Sequence, residues 1–71
     1  MVKPLDYVKT PDGRGVVYSV STELKQASVL MEDHKIHSYG LAFVKDIGSA
    51  EAMFLKKLHD EVAKLRKQVF G

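Results

Sequence analysis

The chain contains no cysteine, which removes disulfides and thiolate metal sites as stabilisers and fits a reducing cytoplasm. It has no apolar run near the ~18 residues of a membrane span. Its opening, Met1-Val2-Lys3-Pro4-Leu5-Asp6, has no apolar core of the kind that makes a secretion signal. Internal repeats and low-complexity tracts are also missing. A soluble cytoplasmic protein with no membrane contact is expected. An excess of one charge is nearly absent too, the net charge being +2. That small excess is unevenly placed. Residues 1–47 balance six basic against six acidic side chains. The basic surplus lies beyond, on Lys56, Lys57, Lys64, Arg66 and Lys67 against Glu51, Asp60 and Glu61. Dedicated nucleic-acid binders carry a denser basic face than this, so only weak attraction to phosphate follows.

What is present is a globular balance, 45% hydrophobic and 28% charged, in 71 residues. One domain is all this length allows, and such a chain buries only ~60% of its unfolded surface. With no disulfides or metal to compensate, self-association is the expected stabiliser.

The most informative stretch is Asp6-Tyr7-Val8-Lys9-Thr10-Pro11-Asp12-Gly13-Arg14-Gly15-Val16-Val17. Pro11 pre-sets φ at the first corner of a turn, Asp12 can bond nearby backbone, and Gly13 tolerates positive φ. Gly15 opens a β-branched run at a position that suits a bulge or a close backbone approach. Strands are predicted at Leu5–Lys9, Gly15–Ser21, Ala27–Glu32 and Lys35–Tyr39. Leu41–Ile47 then gives a last short strand, or one helical turn before one. In the third strand Ala27, Val29 and Met31 share one face, and Ser28 and Leu30 the other. Short strands joined by short turns predict a closed or nearly closed antiparallel sheet over residues 1–47.

From Gly48 the period becomes helical, and residues 48–71 read as a C-terminal amphipathic helix of the same domain. Ser49 is a candidate N-cap, with Ala52 where a glutamate would complete a capping box. Gly71 suits the C-terminal end. Leu55, Leu58, Val62, Leu65 and Val69 follow a heptad spacing, which predicts self-association, a dimer being favoured. The plain alternative is a single helix laying that stripe on its own sheet. A wide stripe near Ala50, Phe54, Leu55 and Leu58 and a narrow one beyond Lys57 predict a near half docked and a far half paired. At roughly 30 Å the helix would overhang so small a sheet.

The residues resemble a known class at this point. Asp-Tyr-Val-x-Thr-Pro-Asp-Gly-x-Gly-x-Val, Ala27–Asp33, Ile36-x-x-Tyr39 and Val44-x-x-Ile47 together look like an SH3-like barrel of the KOW and Tudor type. Within it they are similar to the RNA-polymerase-interacting domain of CarD-type transcription regulators and of the transcription-repair coupling factor. The resemblance covers about residues 5–47 and implies a five-stranded antiparallel barrel, here followed by a helix instead of the helical DNA-binding domain of CarD proteins. It also implies docking on a large machine such as RNA polymerase, by analogy of fold. Lone barrels of this size are often encoded by phages and mobile elements.

Catalytic constellations are missing: no nucleophile sits in a strained elbow, and the chain lacks the volume for a preorganised pocket. A non-enzyme with no cofactor, metal or small-molecule substrate is expected. His34 and His37 would point to opposite faces and His59 would have to reach in from the helix, so the histidines read as surface residues. Arg14 reads as the exposed side chain of a turn, because no helix follows to supply a phosphate site. A binding surface is expected from Tyr7, Tyr18 and Tyr39 with Lys9, Arg14 and Lys35, joined by Lys56, Lys57, Lys64 and Lys67 on the helix. In the plain alternative Phe43 and one tyrosine are core and the other tyrosines are rim. The expected partner is nucleic acid or a nucleic-acid-processing assembly, with a protein-docking effector as the alternative.

Overall fold

The computed structural model describes residues 2–48 and 53–70. Ser49, Ala50, Glu51 and Ala52, with the proposed N-cap and the start of the wide stripe, lie outside them, as does Gly71. Strand β1 (Tyr7–Thr10) turns through Pro11 and Asp12 into β2 (Gly13–Ser21), with Thr10 and Gly13 as the paired ends. Gly13 takes a φ of 129°, as the turn required of it. The Thr10 hydroxyl fastens the corner by donating to the Gly13 carbonyl at 2.9 Å and accepting from the Asp12 amide at 3.2 Å. A polar link leads to β3 (Gln26–Met31), and a tight turn through Asp33 and His34 leads to β4 (Ile36–Gly40). A 3-10 turn at Leu41–Phe43 precedes the two-residue β5 (Lys45–Asp46).

All five strands are antiparallel in one sheet of order β4-β3-β2-β1-β5. The expected closed barrel is corrected to this extent: β4 and β5 remain edges, so the sheet is open. It still buries both of its faces. Val8, Val17, Ala27, Val29, Met31 and Val44 form one buried cluster, flanked by Val2, Val20, Tyr39 and Leu41. Val16 and Leu30, on the opposite face, join Leu55, Leu58 and Val62 of the C-terminal segment. The alternation expected in the third strand holds, with Ala27, Val29 and Met31 in the first cluster and Leu30 in the second.

Gly15 marks a close approach and not a bulge. It pairs in register with Val8 and Met31. A Cβ there would overlap the Leu30 carbonyl oxygen and lie 2.7 Å from Val29 Cγ1. The bulge falls at Tyr18: Val17 pairs with Val29 and Ser19 already with Ser28. That extra residue resets the alternation, which lets Val17 and Val20, three apart, pack in the same cluster.

A 3-10 turn at Met53–Leu55 leads into α1 (Lys56–Phe70). Leu55, Leu58 and Val62 follow a 3-then-4 spacing and bury against β2 and β3. Each such side chain contributes about 1.5–3 kcal/mol of gross burial energy. These first three positions of the heptad seam are therefore filled within the chain. The reason is local concentration: the apolar face of β2 and β3 needs cover, and the tethered helix supplies it before any second copy can. Leu65 is half-buried and Val69 exposed. The α-helix itself is fifteen residues long, a rise of about 22 Å. At its far end Arg66 Nη1 donates to the Tyr18 carbonyl at the bulge. His34 Nδ1 donates to Glu61 Oε2 at 3.0 Å, tying the β3–β4 turn to the helix flank.

Candidate nucleic-acid interface

Register places the cations. Lys9 stands directly opposite Arg14 on β2 and directly opposite Lys45 on β5. Residues paired in this way point to the same side of a sheet, so Lys45, Lys9 and Arg14 form one cross-strand row. Tyr7, two residues before Lys9, lies on the helix-covered side with Val16, and the row continues along that same side. All three cations are exposed, and among the described residues none has an ion-pair partner. Like charges side by side on neighbouring strands oppose pairing unless an anion comes between them.

Two phenylalanines bracket the row. The Arg14 guanidinium sits 5.5 Å from the ring centroid of Phe54, a cation–π contact, and Phe54 remains 57% exposed. At the other end an open depression of about 400 Å³ is lined by Lys9, Thr10, Pro11, Ala42, Phe43 and Lys45. Phe43 is 64% exposed, which overturns the alternative that placed it in the core. The 3-10 turn draws Leu41 inward instead, and Phe43 swings out over the β1–β5 edge.

The tyrosines do not gather on this surface. Tyr7 and Tyr18 pack beneath α1, and Tyr7 stacks on His59 with centroids 5.3 Å apart. Tyr39 packs on the other face of the sheet and donates to Asp12 Oδ2 at 2.9 Å. Desolvation pushes the Tyr39 phenol above its ordinary pKa, and the Asp12 carboxylate adds to that. Asp12, Arg14, Glu32, Asp33 and His37 share a shallow depression with it, so the acidic group borders the Arg14 end of the row. There His37 Nε2 donates to Asp33 Oδ2 at 3.0 Å, and this bond leads the causes that lower the Asp33 pKa. Lys35 lies in the turn beside this acidic group, and no paired strand carries it to the basic row. Lys56, Lys57, Lys64 and Lys67 are exposed on α1, with Lys57 near Phe54 in a depression that also includes Glu32 and His34.

Of the residues expected from sequence, the structure thus brings together Lys9 and Arg14. It adds Lys45, Phe43 and Phe54, which sequence reasoning missed. Lys45 was findable only through pairing register. The signal for Phe43 was its place in the segment read as a single helical turn, two residues beyond the inward Leu41. Among the described residues no helix is long and apolar enough to cross a membrane. Compared with known proteins, the chain matches no family model, no curated protein and no solved structure.

Proposed function

We propose that this protein is a non-catalytic, cytoplasmic SH3-like module that binds nucleic acid or a nucleoprotein assembly through the β5–β1–β2 end of its sheet. One observation carries the reading: Lys45, Lys9 and Arg14 stand in a row with no ion pair among the described residues, at a cost to sheet stability that a bound polyanion would repay. Of the α1 lysines, Lys57 lies near Phe54, in a depression shared with Glu32 and His34. A second copy adds avidity, pairing through the distal half of α1, where Val69 is 65% exposed. Fluorescence anisotropy with labelled DNA at low salt tests the binding. The triple variant Lys9→Gln, Arg14→Gln, Lys45→Gln loses most of the affinity, and Gln at Lys56, Lys57, Lys64 and Lys67 lowers it less. Wild-type protein that binds no DNA at tens of micromolar sinks the reading. Light scattering tests the pairing: Leu65→Glu with Val69→Glu gives a folded monomer, and an unchanged mass removes the distal helix as the contact.

The β4 edge favours a second reading, an effector that docks on a protein machine such as RNA polymerase. Ile36–Gly40 pairs only with β3, and Ile36 is 45% exposed, so an extended partner segment could add a strand there. Steep salt dependence separates the two, because phosphate contacts weaken with salt and backbone pairing changes little.

A further inference from the structure

Cations attract any polyanion; the aromatic side chains around them narrow the choice. Resting on the nucleic-acid reading above, we infer that the ligand of this surface is an unpaired strand, with phosphates along Lys45, Lys9 and Arg14 and bases stacked on Phe43 and Phe54.

Both rings are braced and both are open. Phe43 rests against the Gly40 backbone, where an added Cβ would stand 3.3 Å from its Cδ2, and it borders the depression that Lys9 and Lys45 share. Phe54 carries the Arg14 guanidinium on its ring and stays more than half exposed. An aromatic group at each end of a cation row is the arrangement by which single strands are held, the groove following the backbone while rings take successive bases. A duplex hides the flat faces of its bases and offers phosphates and groove edges, and neither uses a phenylalanine ring.

Scale agrees. Adjacent strands lie about 4.8 Å apart, so the row from β5 to β2 spans about 10 Å, the rise of about three stacked nucleotides. Among the described residues, Asp12, Glu32 and Asp33 line one depression with Arg14, at the end of the row away from Lys45. Asp12 is engaged by Tyr39, and Asp46 accepts from the Gly48 amide at 2.8 Å. Asp46 also pairs with Val8, which places it on the opposite side of the sheet from Lys45. Glu32 follows Met31, the partner of Gly15, and shares depressions with Arg14 and with Phe54, so it borders the Arg14 end of the row and leaves the Lys9–Lys45 end open. An acidic peptide would satisfy the lysines but leave both rings without a flat partner.

The test is anisotropy with a labelled oligothymidine and a duplex of equal length, on wild-type protein and on Phe43→Ala and Phe54→Ala. Both substitutions are at exposed positions, and circular dichroism checks that the fold is retained. The single strand binds at least about tenfold tighter than the duplex, with a log–log salt slope near −2 for three contacts. Each phenylalanine variant loses roughly 5- to 100-fold on the single strand and little on the duplex. Equal affinity for both forms, with the variants unaffected, overturns the unpaired-strand inference and leaves phosphate binding standing. Binding to neither form overturns both.

Discussion

Over β2 and β3 the helix-side face of the sheet carries Val16, Tyr18 and Leu30 beneath Leu55, Leu58 and Val62. Toward the β1–β2 turn the same face carries Lys9, Arg14 and Lys45, beyond Tyr7, the β1 residue that stacks on His59 of the helix. One sheet surface is thus half apolar and sealed, half cationic and bare. The first half is explained by folding alone, since apolar area removed from water stabilises a domain this small. Folding gives no reason for the second: like charges in register weaken a sheet. A feature that costs stability and is not needed for the fold points to a ligand.

The sealed half breaks most easily. Leu55→Ala leaves a cavity where the helix enters the core, and urea denaturation should read a loss of about 2–4 kcal/mol. A loss below about 1 kcal/mol would mean that the helix is only loosely seated. Gly15→Val strikes the line along which the two halves meet, because its side chain meets the Leu30 carbonyl of the neighbouring strand. Overpacking of this kind costs about 1–3 kcal/mol, and a thermal melt equal to wild type would show that β2 and β3 can part without penalty. Lys9→Gln has the smallest effect on stability and the opposite sign. Removing the middle charge of the row should stabilise the fold by about 0.2–0.5 kcal/mol while weakening DNA binding. A variant that loses stability would place Lys9 among the supports of the fold.

Much of the first half was legible in the sequence. Alternation assigned Ala27, Val29 and Met31 to one face and Leu30 to the other, and Pro11-Asp12-Gly13 announced its turn. Gly15 announced a bulge or a close approach without saying which, and it makes the close approach. Helical spacing picked out Leu55, Leu58 and Val62 but could not say what covers them, because a stripe that suits a second helix also suits a sheet. The second half was mostly hidden. Lys9 and Arg14 flank their turn and can be paired by counting, but Lys45 joins them only through the β1–β5 pairing, 36 residues away along the chain. The tyrosines misled, since strand aromatics favour both binding faces and helix-covered ones. Tyr7 and Tyr18 went under the helix with Val16, and the exposed rings came from the irregular segments at Phe43 and Phe54.

The difference between the two halves is read most directly from backbone amide shifts while a short single-stranded oligonucleotide is titrated into isotope-labelled protein. The largest shifts should fall on Lys9, Arg14, Phe43, Lys45 and Phe54, with Val62, Leu30 and the β4 edge from Ile36 to Gly40 nearly silent. Shifts confined to β4, or spread evenly over the outer lysines of α1 with the row unmoved, would contradict the account.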